Sequence, residues 1–186
     1  MNPQLSDLID IGANLTHDAF EHDFENVVTE ALNAGLSHII LTGTDLHSST
    51  AASNLARQRP NFFSSTAGFH PHMSGDVATA DFDLLQTLLT NPEVVAIGET
   101  GLDFNRNYSP PDKQRQVFET HLELACTVHK PLFLHQRDAH TDFHSMLSAY
   151  SQRITGGVVH CFTDSHQELR DYLDLGMYIG LSLIHI

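Results

Sequence analysis

Short apolar runs alternate with helical stretches along the whole chain, and that alternation leaves few folds open to it. The runs occupy residues 8–15 (LIDIGANL), 37–42, 62–67, 94–97, 131–135 (PLFLH), 158–162 (VVHCF) and 177–181. Between them, apolar residues recur at helical spacing over 22–34, 48–59, 81–89, 112–129, 139–150 and 165–176. Gly35, Pro60, Pro92, Pro131 and Gly156 punctuate the segments. Strand and helix in strict alternation predict a parallel sheet. Residues 94–97, VVAI, show no polar alternation, as a strand covered on both faces should not. A doubly wound open sheet is the competing architecture, but no GxGxxG follows the first run. The expectation is therefore an α/β chain of the TIM-barrel type. It is read as a single domain over 1–186, with about seven strands present and the last helix and strand missing.

Composition narrows the function. No apolar stretch reaches the roughly 18 residues of a membrane helix, and MNPQLSDLIDIG lacks the basic and apolar regions of a secretory signal. Cys126 and Cys161 are too few for a disulfide framework, so a reduced, cytoplasmic setting is expected. The net charge of −14 excludes a diffuse basic surface for duplex nucleic acid. A polyanionic substrate would have to be gripped locally, by a metal or by a few arginines.

The polar residues of interest all follow strands, where α/β enzymes place their sites. Glu99 stands at the end of the fourth run, His135 closes PLFLH, and His160 falls within VVHCF. Singly, each reads as a capped polar residue; jointly, one carboxylate and two imidazoles at equivalent points of successive repeats read as metal ligands. Such a set can serve a site with two cations about 3.5–4 Å apart, which activates water and steadies a leaving oxygen. The other histidines are mostly surface or packing residues, among them His22, His47, His121 and His166 on helical patterns.

Asp10 and Asn14 alternate with apolar residues on the first strand; the amide oxygen of Asn14 would suit a hard cation such as Mg²⁺. His70 and His72 flank Pro71, and either could touch a phosphate or donate a proton to a leaving group, or lie in a surface loop. Asp103 and Asp138 are either acceptors for ligand histidines or turn and cap residues. Arg106 and Arg137 either fork onto phosphate oxygens or pair locally with those two aspartates. Cys161 has no base-and-orienter pattern around it, which argues against a nucleophile.

Taken together, DIGANLT (10–16), TAGFHPH (66–72), VAIGETGLDFNRN (95–107), LHQRDAH (134–140) and VVHCFT (158–163) resemble the TatD family of metal-dependent deoxyribonucleases, in family order and across residues 8–181. The resemblance implies a TIM-barrel hydrolase that cleaves DNA phosphodiester bonds as a 3′–5′ exonuclease. By the same resemblance Glu99 binds or bridges metal, His135 and His160 complete one cation, and His70 lies beside the scissile phosphate. Two departures stand out. Gly12 and Asn14 occupy places where many relatives have HxH, and the family's acidic residue after an eighth strand has no counterpart. The ending IGLSLIHI also differs from the family's usual continuation, as in a truncated reading frame.

The expected cofactor is a divalent metal ion, Mg²⁺ first and Mn²⁺ or Zn²⁺ next. The expected substrate is DNA, single-stranded or at 3′ ends, with no membrane and no obligate protein partner. The competing functions are a metal-dependent hydrolase of a small ester, lactone or amide, since one barrel serves many bonds, and an inactive truncated chain.

Overall fold

The computed structural model describes residues 8–181. The amino-terminal stretch read for a signal and the last residues of the divergent ending lie outside the described residues. Strands β1 (Leu8–Ala13), β2 (Leu36–Leu41), β3 (Phe63–Ala67), β4 (Val94–Asp103), β5 (Leu132–Arg137), β6 (Gly157–Val159) and β7 (Tyr178–Ile179) alternate with six helices. These are α1 (Phe24–Asn33), α2 (Leu46–Gln58), α3 (Thr79–Leu88), α4 (Pro111–Val128), α5 (His140–Tyr150) and α6 (His166–Asp174). Short 3₁₀ turns occupy Asp18–Phe20 and Pro71–Met73.

All neighbouring strands pair in parallel, in the order β1-β2-β3-β4-β5-β6-β7. This is the curled sheet of a partial α/β barrel, as the alternation implied. Its two edge strands face one cavity of about 460 Å³, lined from β1 by Ile9 and Ile11 and from the other side by His160 and Gly180. The edge position explains why Leu8 and Ile9 stay exposed although their strand is apolar.

Strand β4 is the spine of the sheet, and nearly all its residues are buried. It runs further than the VVAI run implied, continuing through Glu99 to Asp103, which pairs opposite Arg137. Glu99 therefore lies within the strand, and Asp103 is at its tip. The register against β5 shifts between Ile97 and Thr100. Gly98 and Gly101 allow this course: both have positive φ, and a Cβ on Gly101 would sit 1.9 Å from the His135 carbonyl oxygen.

The larger apolar cluster packs α3, α4, α5 and α6 onto strands β3 to β6 and includes Leu85, Phe118, Leu122, Phe143 and Tyr172. Phe118 and Phe143 stack at 5.1 Å between ring centroids, locking α4 against α5. A smaller cluster around Val28, Ile39, Leu41 and Phe63 holds α1 and α2. Pro111 opens α4 at a position where its missing N–H costs nothing, and Ser165 closes a capping box on α6.

Candidate metal centre

Three imidazoles from separate parts of the fold converge on one oxygen of the Glu99 carboxylate. Glu99 Oε1 lies 2.6 Å from His160 Nε2, 3.1 Å from His135 Nδ1 and 3.4 Å from His70 Nε2. A carboxylate oxygen offers about two lone-pair directions, so three imidazoles contend for fewer places than they need. Nitrogens crowded in this way around a buried carboxylate are a donor set that fits a divalent cation. Ligand atoms of His70, Glu99 and His135 all fall within 4.8 Å of one another.

The electrostatics follow from burial and contact. Burial alone would raise the Glu99 pKa, but the hydrogen bonds from His135, His160 and His70 outweigh it and hold the carboxyl well below its ordinary value. His160 shows the reciprocal effect. Burial opposes its charge, yet contacts with Cys161 and Glu99 push it up to about 9. Phe133 stacks on the His160 ring at 4.5 Å and backs it from the barrel interior. For His70, burial dominates over Glu99 and lowers the pKa, favouring a neutral ring.

Tautomers separate the roles of the histidines. The His70 Nδ1 accepts the His72 backbone N–H at 3.2 Å, so in the neutral ring Nε2 carries the proton. That leaves His70 better suited to donate to an anionic oxygen than to ligate a metal. His135 instead sits between two carboxylates, with Nε2 3.2 Å from Asp103 Oδ2. Burial works against its charge, but Asp103 and Glu99 together raise its pKa. With Nε2–H given to Asp103, the neutral ring turns its Nδ1 lone pair towards Glu99.

Asp103 is saturated with donors. Its Oδ2 meets His72 Nε2 at 2.8 Å as well as His135, and Oδ1 accepts the backbone N–H groups of Asn105 and Arg106. Its carboxyl is held below the usual range, since these contacts outweigh the cost of burial. Buried Gln114 of α4 clamps the same residue, accepting from the Asp103 N–H and donating to its carbonyl. Asp103 thus accepts from two histidines with one oxygen and from its own turn with the other.

The remaining candidates fall elsewhere. Asp138 has a left-handed backbone (φ 53°) and accepts from the Asn105 side chain, as a turn residue does, and among the described residues it forms no hydrogen bond or ion pair with His70, His135 or His160. Arg106 and Arg137 are exposed, and among the described residues neither guanidinium forms an ion pair with Asp103 or Asp138. Asn14 is exposed just past β1 and makes none of the contacts around Glu99. Asp10 accepts the Gly12 N–H within its own strand.

Sequence reasoning missed three contributors. Gln114 sits on a helix face where a polar residue reads as solvated, and Tyr108 lies in a loop without a motif. His121, expected to be a surface or packing residue, is a packing residue, and its hydrogen bonds are what the helical pattern does not show. It is fully buried, and its Nε2 accepts the Phe69 N–H at 3.1 Å while its other nitrogen bonds the Val117 carbonyl. Burial lowers its pKa to about 4, keeping it a neutral strut under the loop that carries His70.

A parallel α/β barrel sheet that gathers a carboxylate and imidazoles towards the ends of β4, β5 and β6 has the donor set of a metal-dependent hydrolase. Comparisons with known proteins agree. The sequence profile of the family described as TatD related DNase matches residues 9–186, and the chain belongs to that family. It is similar to the 3′-5′ ssDNA/RNA exonuclease TatD of Citrobacter koseri, at 45% identity over 175 residues, covering 94% of this chain and 67% of that one. The protein of the same name from Edwardsiella piscicida is 46% identical over 178 residues, with coverage of 94% and 67%.

Among solved structures, a hydrolase TatD family protein from Entamoeba histolytica superposes with a TM-score of 0.86 at 31% identity, covering 95% of this chain and 65% of that one. YJJV, a TatD homolog from Escherichia coli K12, gives 0.85 at 28%, covering 92% and 66%. The chain thus spans about two thirds of the length of these relatives. No helix among the described residues is long and apolar enough to cross a membrane.

Proposed function

We propose that the protein hydrolyses phosphodiester bonds of single-stranded nucleic acid, DNA foremost, releasing nucleotides from the 3′ end. The observation that carries this reading is the meeting of His70, His135 and His160 at one oxygen of Glu99, in a chain whose relatives are named as exonucleases of that polarity.

Glu99, His135 and His160 would hold the divalent cation, and the amide of Asn14, just past β1, is the further oxygen donor proposed for it. Bound there, the cation supplies a Lewis acid for a phosphoryl oxygen and lowers the pKa of water. Asp103 keeps the His135 ring in the ligating tautomer. His70, with its proton on Nε2, donates to a phosphate oxygen or towards the leaving group. His72 lies against both His70 and Asp103, and exposed Arg106 and Arg137 offer forks to the substrate backbone. Mg²⁺ suits the carboxylate and amide oxygens, whereas Mn²⁺ or Zn²⁺ suits the imidazoles. We place the reaction in the cytoplasm, consistent with the low cysteine content.

The test is a 5′-labelled single-stranded oligonucleotide incubated with the protein and Mg²⁺, Mn²⁺ or Zn²⁺ in turn. The reading predicts a ladder shortening from the 3′ end, abolished by EDTA and absent in Glu99→Gln. Turnover of a small ester or lactone with the oligonucleotide left intact would overturn it in favour of the competing hydrolase.

A further inference from the structure

We infer that Tyr108 is a stacking platform for the 3′-terminal base of a single-stranded substrate, an inference that rests on the nuclease reading above. Of the large apolar side chains left exposed among the described residues, two are aromatic, Tyr108 and Tyr178. Tyr178 lies on the edge strand β7 opposite Val158 and, among the described residues, has no ring contact with the histidines of the cluster. Tyr108 is 68% exposed and stands beside the cluster. Its ring meets His72 edge-to-face at 4.7 Å between centroids, and His72 meets His70 in the same manner at 4.3 Å.

The exposure is not that of a slack loop. The next residue, Ser109, is buried, and its hydroxyl donates to the His72 carbonyl at 2.7 Å and accepts the Gly75 N–H at 2.9 Å. The Ser109 carbonyl accepts from Gln114 Nε2 at 2.8 Å, and Pro110 and Pro111 then lead into α4. The backbone under Tyr108 is therefore pinned from three sides while its ring faces solvent. A π-face held in this way meets what a flexible single strand needs. It takes any base without reading its edges, and stacking adds affinity that is largely independent of sequence. A paired base is already stacked and hydrogen-bonded, so the platform favours an unpaired terminus.

The experiment compares the wild-type protein, Tyr108→Ala and Tyr108→Phe on single-stranded oligonucleotides that end at the 3′ side in a normal or an abasic nucleotide. Tyr108→Ala should raise KM about 10-fold on the normal terminus with kcat little changed. Tyr108→Phe should behave as wild type, and all three proteins should match on the abasic terminus. An equal effect of Tyr108→Ala on both termini, or none on either, would overturn the platform and leave the nuclease reading intact. Should the wild type cleave neither substrate, the nuclease reading fails, and binding of an oligonucleotide ending in 2-aminopurine decides the platform separately. Fluorescence quenching by wild type that Tyr108→Ala loses supports it; identical behaviour of the two proteins overturns it.

Discussion

Glu99 and His160 lie 61 residues apart in sequence, yet their Oε1 and Nε2 atoms meet at 2.6 Å. Parallel strands with helical crossovers make this possible: each repeat returns the chain to the same rim of the sheet, so residues that follow successive strands become neighbours. The contact also binds burial to charge. A carboxylate as deeply covered as Glu99 stays ionised because the surrounding imidazoles compensate it.

Asp103 should act through His135 and His72 and not by touching a metal ion. Asp103→Asn keeps the shape but weakens the acceptor that fixes the His135 tautomer. Metal affinity or kcat/KM should fall by roughly 10–100-fold, the range for an outer partner of a ligand histidine. Titration of the variant with Mn²⁺ measures this; unchanged affinity and rate would remove Asp103 from the account.

Buried His121 makes stability depend on pH. Its folded pKa of about 4 lies below its ordinary value of 6.5, so its contribution is complete above about pH 6.5 and declines as acid protonates the unfolded chain. Between pH 7 and pH 5 the advantage of wild type over His121→Gln should shrink by roughly 2 kcal/mol. Urea unfolding of both proteins at the two pH values checks this, and a gap that stays constant would mean that His121 is not held neutral by the fold.

A cation bound only by the folded chain should stabilise it. At a free concentration about 100 times Kd the gain is about 2.7 kcal/mol, which for a chain of this size raises Tm by roughly 5–10 °C. Thermal unfolding followed with and without EDTA reads the shift. A Tm indifferent to Mg²⁺, Mn²⁺ and Zn²⁺ would argue against a preformed site.

How far the sequence foretold this molecule depended on how local each signal was. Alternating periods and Gly or Pro breaks placed every strand and helix but the end of β4 within a few residues, because those signals act over one segment. The length of β4 escaped, since Gly98 and Gly101 look like turn residues. Their missing side chains in fact let β4 lie against β5, with a Cβ on Gly98 falling 2.1 Å from the Phe133 carbonyl oxygen. The roles of Asp103 and Asp138 could not be told apart by spacing, because only the fold brings His72 and His135 to one aspartate and Asn105 to the other. The bonding of His121 and Gln114 was invisible for a similar reason: a helix pattern does not say which polar residue bonds a loop, that of another repeat for His121 and the one before its own helix for Gln114.

The most direct test is cation binding by wild type and by Glu99→Gln, measured by Mn²⁺ paramagnetic resonance at neutral pH with circular dichroism recorded alongside. The account predicts bound Mn²⁺ in the wild type and a loss in Glu99→Gln well beyond the 10–100-fold of an outer partner, with the far-ultraviolet spectrum unchanged. Equal binding by two equally folded proteins would contradict the claim that Glu99 holds a metal ion together with His135 and His160.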